Sequence, residues 1–369
     1  MNVLTTRLLL TLLSIFLSIT FQLNAQNSDF STCSFTGSNS SIEFTNSIKP
    51  QLEKYEQEFM LKKTAKGTQQ TIISIPIKAH IIRHDDSSGG LSVSDLNAAV
   101  ANLNSIYADA GMEFFICDGI NYIDSDLLTN FKKGNEVLLA EMNNVPDMLN
   151  IYFVDEIENL DNVSICGYTY NEGRTDIIAI KSSCAINNSS LAHEIGHLFS
   201  LIHTHGPSDN KTTELVDGSN CDTDGDGICD TPADPELSEN NVDRFCGYTG
   251  SETDANGNTY NPDTRNIMSY SRKDCRVSFT PQQMARMYAF YQVVKNYLSC
   301  PSFNADFAAD ISQTCDELLT VNFESYSDNV TKWEWDMNSD GITDYTTKNP
   351  SHTFNNGIYN ITLKVSNKT

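Results

Sequence analysis

The sequence predicts an α/β (α+β) domain that carries a metal-binding helix, followed by a small all-β domain. Three observations lead there. Apolar runs of strand length alternate with a helical periodicity between residues 73 and 180. His193-Glu194-Ile195-Gly196-His197 then puts two histidines four residues apart, on one face of a helix. From about Ser302 onward the pattern changes to short segments of alternating apolar and polar residues.

The elements follow in order. Residues 1–25 read as a secretory signal: Arg7 precedes the apolar run Leu8 to Phe21, and Leu23-Asn24-Ala25 is an acceptable cleavage site. The run is shorter than the ~20 residues a spanning helix needs, which argues against a membrane anchor. Residues 26–71 are polar, with one charged helical stretch around Pro50 to Lys63, and read as a propeptide. A strand dense in isoleucine spans Ile73 to Ile82. A helix follows from about Val93 to Ala110, with Leu96, Val100, Leu103, Tyr107 and Ala110 along one face and Gly111 as its stop. Apolar runs at Glu113–Cys117, Asn150–Val154 and Asp176–Ile180 are further strands. The histidine helix runs from about Ser190 to Leu201. Gly206 to Tyr260 is acidic, loop-rich and poor in large apolar residues. The last helix begins with Thr280 as cap, Pro281 at its first position and Gln283 closing a capping box. Met284, Met287, Phe290, Val294 and Leu298 give it an apolar stripe, which is core packing. The first domain ends near residue 301 and the β-domain fills 302–369.

Composition bounds the partners. The chain has 48 Asp and Glu against 24 Lys and Arg, a net charge of −24. Such a surface repels nucleic acid and anionic membranes. It suits a soluble, secreted, extracellular protein with carboxylates available for calcium, and a monomer is expected. Ten cysteines in an exported chain of 369 residues imply disulfides, with a connectivity that sequence does not reveal directly.

The chemistry converges on one stretch. His193 and His197 can share a metal ion, and Glu194, offset from their line, can reach a water held by that ion. His203 lies six residues on and supplies a third ligand if the helix ends and the chain turns back. Three protein ligands leave a fourth position open, which distinguishes a catalytic zinc site from a closed structural one. His205 is the nearest competing donor and Glu214 a remoter one. His80 and His84, four apart near the first strand, read as structural.

The run from His193 to His203 resembles the extended zinc signature of the metzincin metallopeptidases. Asn266-Ile267-Met268-Ser269-Tyr270 resembles their Met-turn, with Met268 as an apolar floor beneath the metal. Asp230-Thr231-Pro232, Tyr270 two residues beyond Met268, and Cys275 before Phe279-Thr280-Pro281-Gln282-Gln283 are similar to the pappalysin branch. The match runs from about Ile72 to about Ser299. It implies a twisted mixed sheet with the cleft below an edge strand, taken as Asp176 to Ile180. It also implies one catalytic zinc on His193, His197 and His203, with Glu194 as general base and Tyr270 as a hydrogen-bond donor to the developing oxyanion. The expected disulfides are crossed, Cys221 with Cys246 and Cys229 with Cys275. Related zymogens hold their zinc inactive with a propeptide thiolate, a role that would fall to Cys33; a disulfide partner or an idle thiol is the alternative. The chain departs from the family at Ser200, where glycine is usual. A serine at positive φ would cost on the order of 1 kcal/mol.

Two acidic loops remain. Asp222, Asp224, Asp226 and Asp230 stand at positions 1, 3, 5 and 9 of a segment with Gly227 at position 6, a spacing that can wrap calcium. A solvated acidic turn is the alternative, since the closing glutamate is missing at Ala233. Trp333-Glu334-Trp335-Asp336, Asn349-Pro350-Ser351-His352-Thr353-Phe354 and the alternation Tyr359, Ile361, Leu363, Val365 resemble a PKD repeat, an immunoglobulin-like sandwich. Asp336, Asn338, Asp340 and Asp344 form a second, weaker calcium-like loop within it, and His352 belongs to the sandwich. The function expected is a secreted zinc metalloendopeptidase acting on protein or peptide substrates. An inactive metzincin scaffold serving adhesion is the competing reading, which the intact Glu194 opposes. Other enzyme classes find little support, since the sequence has no P-loop, no dinucleotide fingerprint and no Gly-x-Ser-x-Gly elbow.

Overall fold

The computed structural model of the protein describes residues 39–64, 72–172, 175–187, 189–207, 212–300, 305–313, 318–327 and 330–366. Helices α1 (Asn39–Ser47) and α2 (Lys49–Thr64) come first, then β1 (Ile73–Arg83), α3 (Val93–Tyr107) and β2 (Met112–Asp124). Short elements α4 (Asp126–Thr129), β3 (Asn130–Lys132) and α5 (Glu136–Asn143) lead to β4 (Leu149–Val154) and β5 (Glu156–Glu158). Strands β6 (Gly167–Glu172) and β7 (Thr175–Lys181) are followed by α6 (Ser182–Ala185) and α7 (Ser190–Leu198). A long irregular segment then runs to α8 (Pro281–Phe290). The signal reading of residues 1–25 and Cys33 lie outside the described residues.

Five strands form the central sheet in the order β2-β1-β4-β7-β6. The first four are parallel and β6 runs antiparallel to β7, so the sheet is mixed. This corrects the assignment of the edge strand: β6 holds the edge and Asp176–Ile180 lies inside. The physical reason is burial on two faces. Ile178 and Ile180 of β7 face one core with Ile75, Ile77, Ile151 and Phe153. Its Ile177 and Ala179 face a second core with Tyr152, Val154 and Tyr168. A strand covered on both sides reads as a continuous apolar run, and that marks an interior position.

The larger core is closed by α3, α7 and α8. On α3, Ser92 caps the first turn by accepting from the Asp95 amide, and Leu96, Leu103 and Tyr107 point inward. The helix tightens into a 3₁₀ turn at Ala108–Ala110 and stops at Gly111, whose φ of 68° suits glycine. At α8 the capping box between Thr280 and Gln283 is present, with Pro281 at the first position. Met284, Met287 and Phe290 of α8 are buried in the same core; the helix ends at Phe290, so Val294, partly buried, and Leu298, buried, pack there from the segment beyond it.

The N-terminal helices are part of this packing. Leu52 and Phe59 of α2, two turns apart on one face, are buried in the main core. Phe59 meets Tyr288 of α8 with ring centroids 5.4 Å apart, and the Arg286 guanidinium of α8 pairs with the Glu56 carboxylate. A cavity of about 790 Å³ lies beside them, lined among others by Ile42, Lys49, Leu52, Ser200, His205 and Asp226. Neither Glu194 nor any of His193, His197 and His203 lines it.

The structure links Cys117 to Cys300, Cys166 to Cys184, Cys221 to Cys229, and Cys246 to Cys275. The last two pairs overturn the crossed pairing Cys221–Cys246 and Cys229–Cys275. Between Asn220 and Asp230 the chain coils through successive turns, with Gly225 and Gly227 at positive φ, and returns Cys229 to within 5.0 Å of Cys221 between Cα atoms. Cys246 and Cys275 instead sit together with Leu237, Val242 and Tyr248 in a small apolar cluster.

Toward the C terminus, β8 (Phe307–Ala309), β9 (Leu318–Ser325) and β11 (Ser351–Asn355) form one antiparallel sheet. Strands β10 (Lys332–Asp336) and β12 (Thr362–Ser366) form another. Val321, Phe323, Trp335, Met337, Phe354 and Leu363 make their shared core. His352 packs on Phe354 there and its Nδ1 lies 3.0 Å from the Tyr345 hydroxyl. Among the described residues, no helix is long and apolar enough to cross a membrane.

Candidate metal centre

Helix α7 starts where Asn187 Oδ1 accepts from the Ser190 amide at 2.8 Å, and all nine of its residues are buried. It ends earlier than the apolar run suggests, at Leu198. The ending is a Schellman turn: the Leu201 amide donates to Gly196 O and the Ser200 amide to His197 O, both at 3.0 Å. Ser200 takes φ of +70°, the left-handed conformation for which glycine is the easy choice. The chain thereby folds back and carries His203 to the other two histidines.

The three imidazoles converge. His197 Nε2 lies 3.1 Å from His193 Nε2 and 3.2 Å from His203 Nε2. Among the described residues this is the group of three or more His, Cys, Asp or Glu side chains whose donor atoms meet closely enough to hold a metal ion. The outer nitrogens fix the tautomers. His193 Nδ1 donates to Ile267 O and His197 Nδ1 to Leu201 O, each at 2.8 Å. Because a carbonyl can only accept, the proton sits on Nδ1 and the Nε2 lone pair is left facing inward. Burial holds all three rings below the usual histidine range, His197 at about 4 and the other two well below normal, so they are neutral donors. A tight trio of neutral, inward-facing imidazole nitrogens fits zinc.

The segment after the acidic loop sets this geometry from below. Asn266 Oδ1 accepts from the Met268 amide at 2.9 Å and closes the turn. Its Ile267 carbonyl orients His193, and its Met268 carbonyl accepts from the Thr204 amide beside His203. Met268 is fully buried against Gly196, where an added Cβ would stand 2.5 Å from its sulfur. Glycine in the middle of the helix is therefore required by the methionine. The Tyr270 ring lies 4.4 Å from His203 and 4.7 Å from His205. His205 itself stacks on His203 at 5.2 Å and stands outside the converging trio.

Glu194 is buried beside the trio. Burial pushes its carboxyl up to about 7, against the pull of the Thr169 hydroxyl and the charges of Arg276 and Lys133. A carboxyl poised near neutrality suits proton transfer in both directions. Thr169 and the buried Arg276 carried no signal in the sequence, because their places depend on contacts far apart along the chain.

The acidic loop does not assemble as its spacing suggests. Asp222, Asp224, Asp226 and Asp230 do not converge on one point. Asp224 accepts from the hydroxyls of Thr213 and Thr223, Asp226 accepts from the Ile228 amide, and Asp230 accepts from the Gln282 amide. The carboxylates that feel one another are different. Glu214, pushed up to about 8 by burial and then by Asp226, Asp234 and Asp224, stands at the centre of that group. In the C-terminal domain, Asp336 and Asp344 accept from backbone amides of their own loop.

Residues 164–292 match peptidase family M43, described as pregnancy-associated plasma protein-A, and this interval contains α7, its three histidines and the turn at Met268. The chain carries a pappalysin-family metallopeptidase domain. It is similar to an extracellular metalloprotease of Arthroderma gypseum, 25% identical over 271 residues, which cover 68% of this chain and 80% of that relative. An extracellular metalloprotease of Colletotrichum graminicola is 25% identical over 237 residues, 59% of this chain and 76% of its own length. A third, from Podospora anserina, is 23% identical over 246 residues, 62% and 76% of the two chains. The chain is therefore a metallopeptidase, acting on proteins or peptides. The histidine trio lies within the matched interval.

Proposed function

We propose that the protein is a secreted zinc metalloendopeptidase that hydrolyses peptide bonds of extracellular proteins, with Glu194 as its general base. The observation that carries this reading is the convergence of three Nε2 atoms on one point, with the buried Glu194 adjoining His193 on the same helix. His193, His197 and His203 would hold the zinc, which would supply Lewis acidity to a water and to the scissile carbonyl. Glu194 takes the proton of the attacking water and passes it to the leaving amine. The Tyr270 hydroxyl donates to the oxyanion as charge develops there. Substrate lies extended along β6, the strand at the sheet edge, and pairs with its backbone.

The remaining assignments belong to the same reading. Residues 1–25 are a signal and residues 26–71 a pro-segment, in which α2 doubles as a packing element of the catalytic domain at 72–301. The C-terminal sheets form a PKD-like domain. Calcium stabilises the acidic segment by neutralising Asp226, Asp234 and Asp224, the carboxylates whose charges bear on Glu214. The test is Glu194→Ala assayed beside wild type. The variant should keep its zinc and lose nearly all turnover, and substantial residual proteolysis would remove Glu194 from the role.

A further inference from the structure

Thr169 lies in the middle of the edge strand β6 and is 5% exposed. Its Oγ1 stands 2.7 Å from the main-chain carbonyl of Glu194 and 3.2 Å from Glu194 Oε2. Strand and helix are pressed together here. Two residues earlier, on the same face of the strand, a Cβ on Gly167 would stand 3.4 Å from Glu194 Cγ and 2.9 Å from Ala179 O. The hydroxyl thus touches both ends of one residue, 25 positions away in sequence.

A threonine hydroxyl has one proton and two lone pairs. The main-chain carbonyl can only accept, and at the shorter distance it takes the proton. The hydroxyl oxygen then still has a lone pair facing the Glu194 carboxyl. That lone pair accepts from Oε2 once the carboxyl has taken a proton from water, and the carbonyl bond keeps the hydroxyl oriented throughout. Alternatively the hydroxyl turns its proton to the carboxylate before the transfer. By turning its single proton between the carbonyl and the carboxylate, this side chain donates to the ionised Glu194 and accepts from the protonated one, and the catalytic proton itself stays on Glu194.

We propose that Thr169 is a positioning residue for Glu194, fixing the carboxyl relative to the substrate strand so that proton transfer needs no side-chain search. The inference rests on the peptidase reading above. Val and Ser separate the contributions of the hydroxyl and the methyl group, because valine keeps the shape and serine keeps the oxygen.

The experiment compares wild type, Thr169→Val and Thr169→Ser, each produced as the full chain and activated before assay, with rates on one cleavable peptide, zinc content, melting temperature and a crystal structure of the valine variant. The expected result is a kcat lower by about 10- to 100-fold in Thr169→Val, the range a misplaced catalytic group produces. KM, zinc content and melting temperature should hold, and Thr169→Ser should recover most of kcat. The Glu194 carboxyl should leave its wild-type rotamer in the valine variant. Wild-type kcat in Thr169→Val, or an unmoved Glu194 carboxyl, would overturn the proposal. Equal loss of kcat and zinc in both variants would overturn it too, by showing a purely structural role. If the valine variant does not fold, Thr169→Ala replaces it with the same expectations. Zinc-loaded wild type that cleaves nothing would sink the peptidase reading, and this inference with it.

Discussion

Ser200 is where the protein should be improvable, and the structure says by how much. The residue occupies the left-handed position of the turn that ends α7, at φ +70°. For an L residue this conformation costs roughly 1 kcal/mol, and glycine escapes the penalty. The Ser200 hydroxyl is also buried with no hydrogen-bond partner, a second cost of roughly 1 kcal/mol. Against these, glycine loses more backbone freedom on folding, about 0.5–1 kcal/mol. The balance predicts that Ser200→Gly is more stable by about 1 kcal/mol, a rise of about 2–4 °C in melting temperature for a domain of this size. Calorimetry of zinc-saturated protein checks it, with two companions to separate the contributions. Ser200→Ala removes the hydroxyl and keeps the strained Cβ, so it should melt between glycine and serine. Ser200→Val puts a β-branched side chain at positive φ and should melt below wild type. A glycine variant that melts at or below wild type, or a valine variant as stable as serine, would refute the reasoning about this turn.

Three further outcomes follow from the same structure. Phe59→Ala should destabilise the protein by about 3–4 kcal/mol, because the ring is buried between α2 and Tyr288 in the main core; chemical denaturation measures this, and a change under 1 kcal/mol would detach α2 from the fold. Glu214 and Asp226 have folded-state pKa values raised to about 8 and about 7, so these two carboxyls hold more protons in the folded protein up to about pH 8. The buried histidines of lowered pKa act in the opposite sense below their unfolded value of about 6.5. Stability in the presence of a calcium chelator should therefore fall as pH rises from about 6.5 to 8, and calcium should flatten the slope; a chelated protein whose melting temperature rises over that window would contradict this. Peptide mapping without reduction should recover Cys221 joined to Cys229 and Cys246 joined to Cys275, and fragments joining Cys221 to Cys246 would restore the crossed arrangement.

The parts legible in the sequence are those encoded over short distances. His193 and His197 share a helix face by spacing alone, and the capping box at Thr280 announces α8 directly. The expected departure at Ser200 is visible as a positive φ because the Schellman turn is a local motif. What depends on distant contacts is harder to read. The strand Gly167–Glu172 is polar and short of branched residues, so the edge strand that the resemblance implies falls on the apolar run beside it, although continuous apolarity is the mark of an interior strand. The disulfide pairing depends on how an irregular, glycine-punctuated segment coils, which no periodicity records. Helix α2 looks like a solvated charged stretch, yet Leu52 and Phe59 on one face dock it into the core. The acidic loop has calcium-like spacing, but its side chains turn to local amides and hydroxyls, and the carboxylates that do interact include Glu214 and Asp234 from outside the pattern.

The central claim is that the histidine trio binds a catalytic zinc. The most direct measurement is cleavage of a peptide library by the activated wild-type protein, with metal content determined on the same sample before and after chelation. One zinc per chain is expected, with cleavage that disappears with the metal and returns when zinc is restored. A fully zinc-loaded protein that cleaves no peptide, or cleavage that persists after the metal is removed, would contradict it.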